Sequence, residues 1–230
     1  MKKVGFIGVY DKTDMILNLA KILTTMGNKV LVVDSTVNQK AKYVVPAINP
    51  TTSYVTNFED IDVAVGFKEE VQIKEYLGLT KEELPYDFIL IDVDSYTRIK
   101  EFELDKSLKN FFVTSFDLFS LKKGLEILVD LEQPMALTKI LYCKEILKED
   151  DDYLNFLSSN YKVVWEANRI YFPLENGDYD VLVENQRVSK IKFRRLSAQY
   201  KDSLVYIILS IVNTSETNVR RAIKIIEKNV

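Results

Sequence analysis

Lys12 and Thr13 stand where an apolar run ends and a helical pattern begins, and a lysine followed by a hydroxyl at such a junction is phosphate chemistry. The ammonium reaches outer phosphate oxygens, the hydroxyl holds magnesium, and the first N–H groups of the helix favour an anion. The segment Phe6-Ile7-Gly8-Val9-Tyr10-Asp11-Lys12-Thr13 follows an expected strand, Val4 to Val9, and opens a helix with Met15, Leu17, Leu19, Ala20 and Leu23 on its apolar face. A working loop of this kind also needs glycines, so that consecutive N–H groups can curl around the phosphates. Here the position before Lys12 is Asp11, which puts a carboxylate where phosphate oxygens lie, and the first glycine position is Phe6. The expectation is a nucleotide-binding frame that has given up hydrolysis, and no residue is assigned a catalytic role.

Ligands of open α/β sheets bind outside the carboxyl ends of the strands. Besides the loop, three such ends can be read: Asp34-Ser35-Thr36, Asp92-Val93-Asp94 and Ser115-Phe116-Asp117. The candidate nucleotide site is therefore Gly8, Asp11, Lys12, Thr13, Asp34 and Asp92, with magnesium on Thr13, Asp34 and Asp92. Two readings of Lys12 stay open: it meets phosphate, or it pairs with Asp11, Asp34 or Asp92 and fills its own site. Asp94 is either a ligand or the cap of the helix that follows.

The elements that must position these groups alternate. Strands are expected at 4–9, 29–33, 53–56, 63–67, 88–92, 110–114, 137–142, 162–165 and 169–172, with helices at 12–26, 68–77, 96–104, 117–130 and 149–158. Such alternation predicts an α/β fold with a mainly parallel sheet and helices on both faces, a three-layer α/β/α arrangement. After Pro173 a turn at Glu175-Asn176-Gly177-Asp178 precedes a helix near 196–212 and a last one from about Asn218. The 230 residues, 47% of them hydrophobic, suit one domain spanning 1–230 with a helical, basic segment at about 184–230.

Composition removes several chemistries. The chain has no histidine, which excludes Ser-His and Cys-His nucleophile pairs and imidazole zinc sites, and Cys143 is its one cysteine. No run approaches the roughly 20 apolar residues of a membrane span, and the start runs straight into a strand, so a cytoplasmic protein is expected. Net charge is −3, yet from Glu184 onward ten basic residues face four acids, +6, leaving −9 elsewhere. Arg187, Lys190, Lys192, Arg194 and Arg195 are candidate DNA contacts, or a solvated face. The last helix sets Val219, Ala222, Ile223 and Ile226 against Arg220, Arg221, Lys224 and Lys228, which suits either a peripheral membrane contact at the inner face or docking on the sheet.

Together these segments resemble the MinD/ParA class of deviant P-loop ATPases, which includes pilus-assembly members of the TadZ/CpaE type. Lys29-Val30-Leu31-Val32-Val33-Asp34 is similar to the family's second strand, Tyr86-Asp87-Phe88-Ile89-Leu90-Ile91-Asp92 to its Walker B strand, and Val113 to Leu121 to its strand-to-helix passage. The resemblance runs to about Pro173. It implies a P-loop NTPase-like fold, ATP with magnesium as ligand, and homodimers formed face to face across the nucleotide. Against that pattern the family's signature lysine falls on Ile7, the glycine before the P-loop lysine on Asp11, and the water-orienting acid on Thr36. These losses favour a pseudo-ATPase scaffold, with or without bound nucleotide, that positions a membrane- or pole-associated assembly such as a pilus, secretion or conjugation machine with other protein components. On that reading Ile7, Val9 and Tyr10 give the dimer face an apolar contact. A ParA-type DNA partition protein and a slow nucleotide-dependent switch are the alternatives.

Overall fold

In the computed structural model residues 1–47, 52–79, 82–144, 148–173 and 176–228 are described. They form β1 (Lys2–Ile7), α1 (Thr13–Thr25), β2 (Val30–Asp34), α2 (Ala41–Val44), β3 (Tyr54–Phe58), β4 (Ile61–Val65), α3 (Glu70–Tyr76), β5 (Phe88–Val93), α4 (Tyr96–Glu101), β6 (Lys109–Ser115), α5 (Leu118–Val129), β7 (Met135–Cys143), α6 (Lys148–Leu157), β8 (Val163–Pro173), α7 (Asn176–Val188), α8 (Ala198–Ile211) and α9 (Glu216–Lys228). The strands make one sheet in the order β3-β4-β2-β5-β1-β6-β7-β8. All neighbours are parallel except β3 and β4.

β1, β2 and β5 occupy the middle, and their apolar runs are buried on both faces as a covered parallel sheet requires. Val4, Phe6, Val30, Val32 and Leu90 face one core with α1, α8 and α9; Ile7, Leu31, Val33, Ile89 and Ile91 face the other with α3, α4 and α5. This is the three-layer α/β fold expected from the alternation. The register sets Asp34 beside Asp92 at the carboxyl ends of β2 and β5.

Three local expectations change. The β3–β4 hairpin turns at Glu59 and Asp60, both at positive φ (55° and 67°), without the Asn or Gly that usually announces such a turn. Lys21 stabilises it by donating to the Glu59 carbonyl at 2.9 Å and pairing with its carboxylate at 3.1 Å. The two strands expected at 162–165 and 169–172 are one strand, β8, whose register against β7 slips between Leu137 and Lys139. Glu166 in the slipped stretch bonds Lys109 and Thr138. Of the turn expected at 175–178, residue 175 lies outside the described residues, and Asn176-Gly177-Asp178 is the first turn of α7. The carboxylate of Asp178 accepts from the Ser197 N–H at 2.6 Å and hydroxyl at 2.7 Å, which ties α7 to the start of α8.

The apolar side of α9 is settled by packing. Val219, Ala222, Ile223 and Ile226 are buried in the core shared with α1 and α8, so this face docks on the protein itself and is not free for a membrane. Ile223→Ala is accordingly expected to lower stability by about 2 kcal/mol in denaturant unfolding, as removal of buried methyl groups does. An unchanged midpoint would mean the helix does not dock. No helix among the described residues is long and apolar enough to cross a membrane.

Candidate phosphate-binding cleft

The loop between β1 and α1 begins at Gly8, whose φ of +143° and the position of the Val113 carbonyl, 2.2 Å from where a Cβ would lie, admit only glycine. Beyond it the chain lines an open cleft of about 380 Å³ with Tyr10, Asp11, Lys12, Thr36, Lys40 and Asp94 among its walls. The structure brings all six candidate nucleotide-site residues to this end of the sheet.

Their partners come from within. Lys12, 3% exposed, folds back so that Nζ lies 2.6 Å from Asp92 Oδ1 and 2.7 Å from the Gly8 carbonyl. Of the two readings left open, the internal pair is the one observed. The Asp11 carboxylate accepts from the Thr13 N–H at 3.2 Å, a donor at the start of α1 of the kind that binds phosphate in such loops, and its other oxygen is held by Lys40. Lys40 also pairs with Asp14 at 3.2 Å, and Gln186 of α7 donates to the same carboxylate at 2.8 Å. Burial pushes the Asp14 carboxyl up, against the pull of Lys40.

The other acids are committed too. Asp34 accepts from the Thr36 N–H (3.1 Å), the Thr36 hydroxyl (2.6 Å) and the Ala41 N–H (2.9 Å), so it organises the turn into α2. Asp94 neither caps α4 nor meets Lys12; its Oδ2 accepts from the Val37 N–H at 2.9 Å, and its Oδ1 is buried with no hydrogen bond among the described residues. Asp117 caps α5 through the Ser120 N–H at 2.9 Å. Thr13 is buried at the start of α1. Among the described residues no cluster of acids and thiols has the makings of a metal site.

At the carboxyl ends of β7 and β8 a chain of aromatic rings packs between the loop after β1 and α8. Tyr10 packs on Tyr142 (centroids 4.6 Å), Tyr142 stacks on Phe172 (5.0 Å), and Phe172 meets the edge of Tyr200 (5.0 Å). Ile7 is fully buried in the core and so does not form the apolar contact face expected of it, while Tyr10 leans on Tyr142 and is half-buried in the cleft wall. With the Thr13 N–H already bonded to a carboxylate and Lys12 already paired, the residues present do not fit a magnesium nucleotide.

Burial raises the Asp92 carboxyl to about 7; Lys12 opposes the rise, and Asp34 and Asp11 add to it. A folded-state value above the unfolded one means that stability from this proton is fully present below about pH 4 and is lost as pH rises through about 7. A carboxyl-carbon NMR titration is expected to show Asp92 changing near pH 7. A midpoint near 4 would contradict this reading.

The basic candidates lie elsewhere. Arg187 ends α7 and the others follow on the connection to α8; Lys190 pairs with Glu59 at 3.2 Å and Arg195 with Glu184. Arg220 is held by Glu216 at 2.7 Å and Asp202 at 2.8 Å, while Arg221 and Lys224 are exposed. Lys192, Arg194 and Arg195 share a small depression with Ile226 and Glu227 of α9. Reading the sequence missed Lys40, Asp14 and Gln186. Lys40 sits in the irregular stretch after β2 and Gln186 lies far along the chain, so no spacing signal links them to the loop.

No protein-family model and no curated protein sequence matches this chain. Solved structures do. A plasmid partition protein from Borrelia burgdorferi bound to AMPPNP matches with a TM-score of 0.60 at 15% identity, over 92% of this chain and 99% of that one. A chain of the MinC:MinD cell division complex of Aquifex aeolicus matches with a TM-score of 0.54 at 11% identity, over 94% and 98%. The pNOB8 ParA bound to nonspecific DNA matches with a TM-score of 0.51 at 13% identity, over 97% and 99%. At these identities the likeness is one of fold, and the chain therefore has the α/β fold of the ParA and MinD P-loop ATPases.

Proposed function

We propose that this chain is a non-hydrolysing scaffold with the ParA/MinD fold, one that positions or assembles a larger machine through protein contacts. The observation that carries the reading is the filled cradle: Asp11 bonds the Thr13 N–H, Lys40 neutralises Asp11, and Lys12 pairs with Asp92. Phosphoryl transfer in this fold rests on charge stabilisation and an oriented water. Ile7 and Thr36 stand where the resemblance places the groups for those tasks, and Thr36 is turned onto Asp34. Tyr43 (79% exposed) lines the cleft and Val37 (82%) adjoins it through its N–H on Asp94, exposed apolar side chains that suit a protein partner better than solvent. A membrane- or pole-associated assembly of the pilus or secretion kind is the family analogue of such a part.

The test is calorimetric titration of the protein with ATP and with ADP in magnesium. No binding at millimolar nucleotide is expected; micromolar binding of ATP with measurable turnover would replace the scaffold by a slow ATPase switch.

A second reading has one observation in its favour. Lys192, Arg194 and Arg195 on the connection share a depression with Ile226 and Glu227 of α9, and α9 also carries the exposed Arg221 and Lys224. One surface could then follow DNA phosphates without reading sequence. Strongly salt-dependent DNA binding that is lost in Arg194→Ala/Arg195→Ala would favour this partition-type reading.

A further inference from the structure

Charge is segregated along this chain, +6 from Glu184 onward and −9 before it, and one surface in each part joins its charge to apolar area. The basic one is the depression of about 240 Å³ shared by α7, the connection and α9. Val181, Phe193 and Ile226 close its bottom and are buried, so its accessible wall is the alkyl stems of Arg194 and Arg195, both exposed, and of half-buried Lys192. Its two carboxylates are spent, Glu184 on Arg195 and Glu227 on Lys201 at 2.6 Å. Lys192 and Arg194 make no ion pair among the described residues. Their stretch of chain is nonetheless fixed, because the Asn185 amide donates to the Lys192 carbonyl at 3.0 Å and Phe193 between them is fully buried. A cavity of about 150 Å³ takes a benzene ring, so the depression has room for one aromatic side chain.

The acidic surface is the outer side of α6. Asp151 turns inward to Lys139 and Arg169, while Glu149 and Asp152 stay exposed with no ion pair among the described residues. Phe156, 72% exposed, follows Asp152 by one helical turn and Glu149 by two, so the three share one side of the helix, with Tyr153 (39%) next to them. Leu154 of α6 is buried in the core with α3, α4 and α5, whereas the bottom of the depression belongs to the core with α1 and α8. The two surfaces therefore lie on opposite faces of the sheet, and no chain can join its own pair.

We propose that the depression receives α6 of a second copy of this chain, with Phe156 among the basic stems and Glu149 and Asp152 facing Lys192 and Arg194. An aromatic ring is stabilised by a guanidinium laid on its face and by the alkyl stems around it, and opposite charges at the rim fix the orientation. DNA phosphates, by contrast, bring no apolar group to fill the depression. Because the two joined surfaces differ, the contact is heterologous: every copy keeps one unused surface of each kind, and assembly continues from copy to copy. One helix side in one depression is a small interface of the transient class. The contact does not depend on what the cleft beside Lys12 binds.

Two variants of the full chain, both at exposed positions, separate the two surfaces. Phe156→Ser keeps the depression and loses the anchor; Arg194→Glu keeps α6 and inverts the rim. With a fluorophore at its amino terminus and after nuclease treatment, Phe156→Ser is expected to bind unlabelled Arg194→Glu in an anisotropy titration, with a Kd of roughly 100 μM at about 50 mM salt. It should bind unlabelled Phe156→Ser at least tenfold more weakly. Raising the salt to about 500 mM should weaken the complementary pair at least fivefold. In sedimentation the unaltered chain should gain mass with concentration more steeply than either variant alone. Equal binding in the two titrations, no binding of the complementary pair up to about 1 mM, or variants that gain mass as the unaltered chain does would each overturn the proposal. So would association that disappears on nuclease treatment, since nucleic acid would then bridge the basic surfaces.

Discussion

Asp11→Gly is expected to raise the affinity for magnesium ATP by about 30-fold or more. Two unit charges about 4 Å apart repel by about 4 kcal/mol at an effective dielectric near 20. The Asp11 side chain is 52% exposed, so solvent screening reduces that figure to about 2 kcal/mol, with each 1.4 kcal/mol worth tenfold. The substitution also frees the Thr13 N–H for a phosphate, leaves Lys40 with Asp14 as its carboxylate partner, and lets the backbone before Lys12 turn without a Cβ. Asp11→Asn removes the charge but keeps an acceptor on the Thr13 N–H, so it should recover only part of the gain. Turnover should not follow in either variant, because Ile7 and Thr36 remain. The measurement is the same calorimetric titration, and an Asp11→Gly protein that binds ATP no better than the unaltered chain would show that the carboxylate is not what closes the site.

The largest expected loss of stability lies far from the cleft. Lys139 is 4% exposed on β7, and its Nζ meets Asp151 Oδ1 of α6 at 2.7 Å and Asn155 Oδ1 at 2.5 Å over the ring of Trp165. Arg169 of β8 bonds the other Asp151 oxygen. Asp151→Ala would leave a buried ammonium without its counter-charge, which costs about 3–5 kcal/mol. At roughly 2–4 °C per kcal/mol for a chain of this size, the melting temperature should fall by about 10 °C. Replacing the pair together, Lys139→Met with Asp151→Leu, should recover most of the loss, since well-packed apolar residues substitute for buried ion pairs at little cost. A single variant that melts within 2 °C of the parent would mean that water or a rotated Lys139 reaches the charge.

Some of the site could be read from residue order alone, because it depends on neighbours in the chain. Gly8, Lys12 and Thr13 follow one another across a strand end, and the apolar runs before Asp34 and Asp92 announce buried central strands whose ends share one edge. Whether Lys12 meets a phosphate or a carboxylate could not be read that way, since Asp92 is eighty residues distant and is placed by pairing of β5 with β1. Lys40 belongs to the same case. Its stretch has no periodicity, and only the turn that Asp34 organises brings its ammonium to Asp11 and Asp14. The hairpin at Glu59 and Asp60 went unread because its left-handed residues are held by Lys21 of α1, a tertiary contact, rather than by glycine.

By itself the sequence determined the layer architecture, since periods of two and near 3.6 in apolar residues are local and the parallel sheet follows from their alternation. It also determined that histidine chemistry is absent and that the loop before Lys12 keeps Gly8 but has Phe6 and Asp11 where further glycines are needed. Tertiary structure alone decided that Asp11 and Lys40 fill the cradle, that Asp34 is spent on its own loop, and that α9 turns its apolar face inward onto α1 and α8. The physical reason is range. Backbone periodicity is fixed by adjacent residues, whereas the partner of a charge or an apolar face is whichever group the fold brings within a few ångströms, and a buried charge or exposed apolar face is costly until that partner arrives.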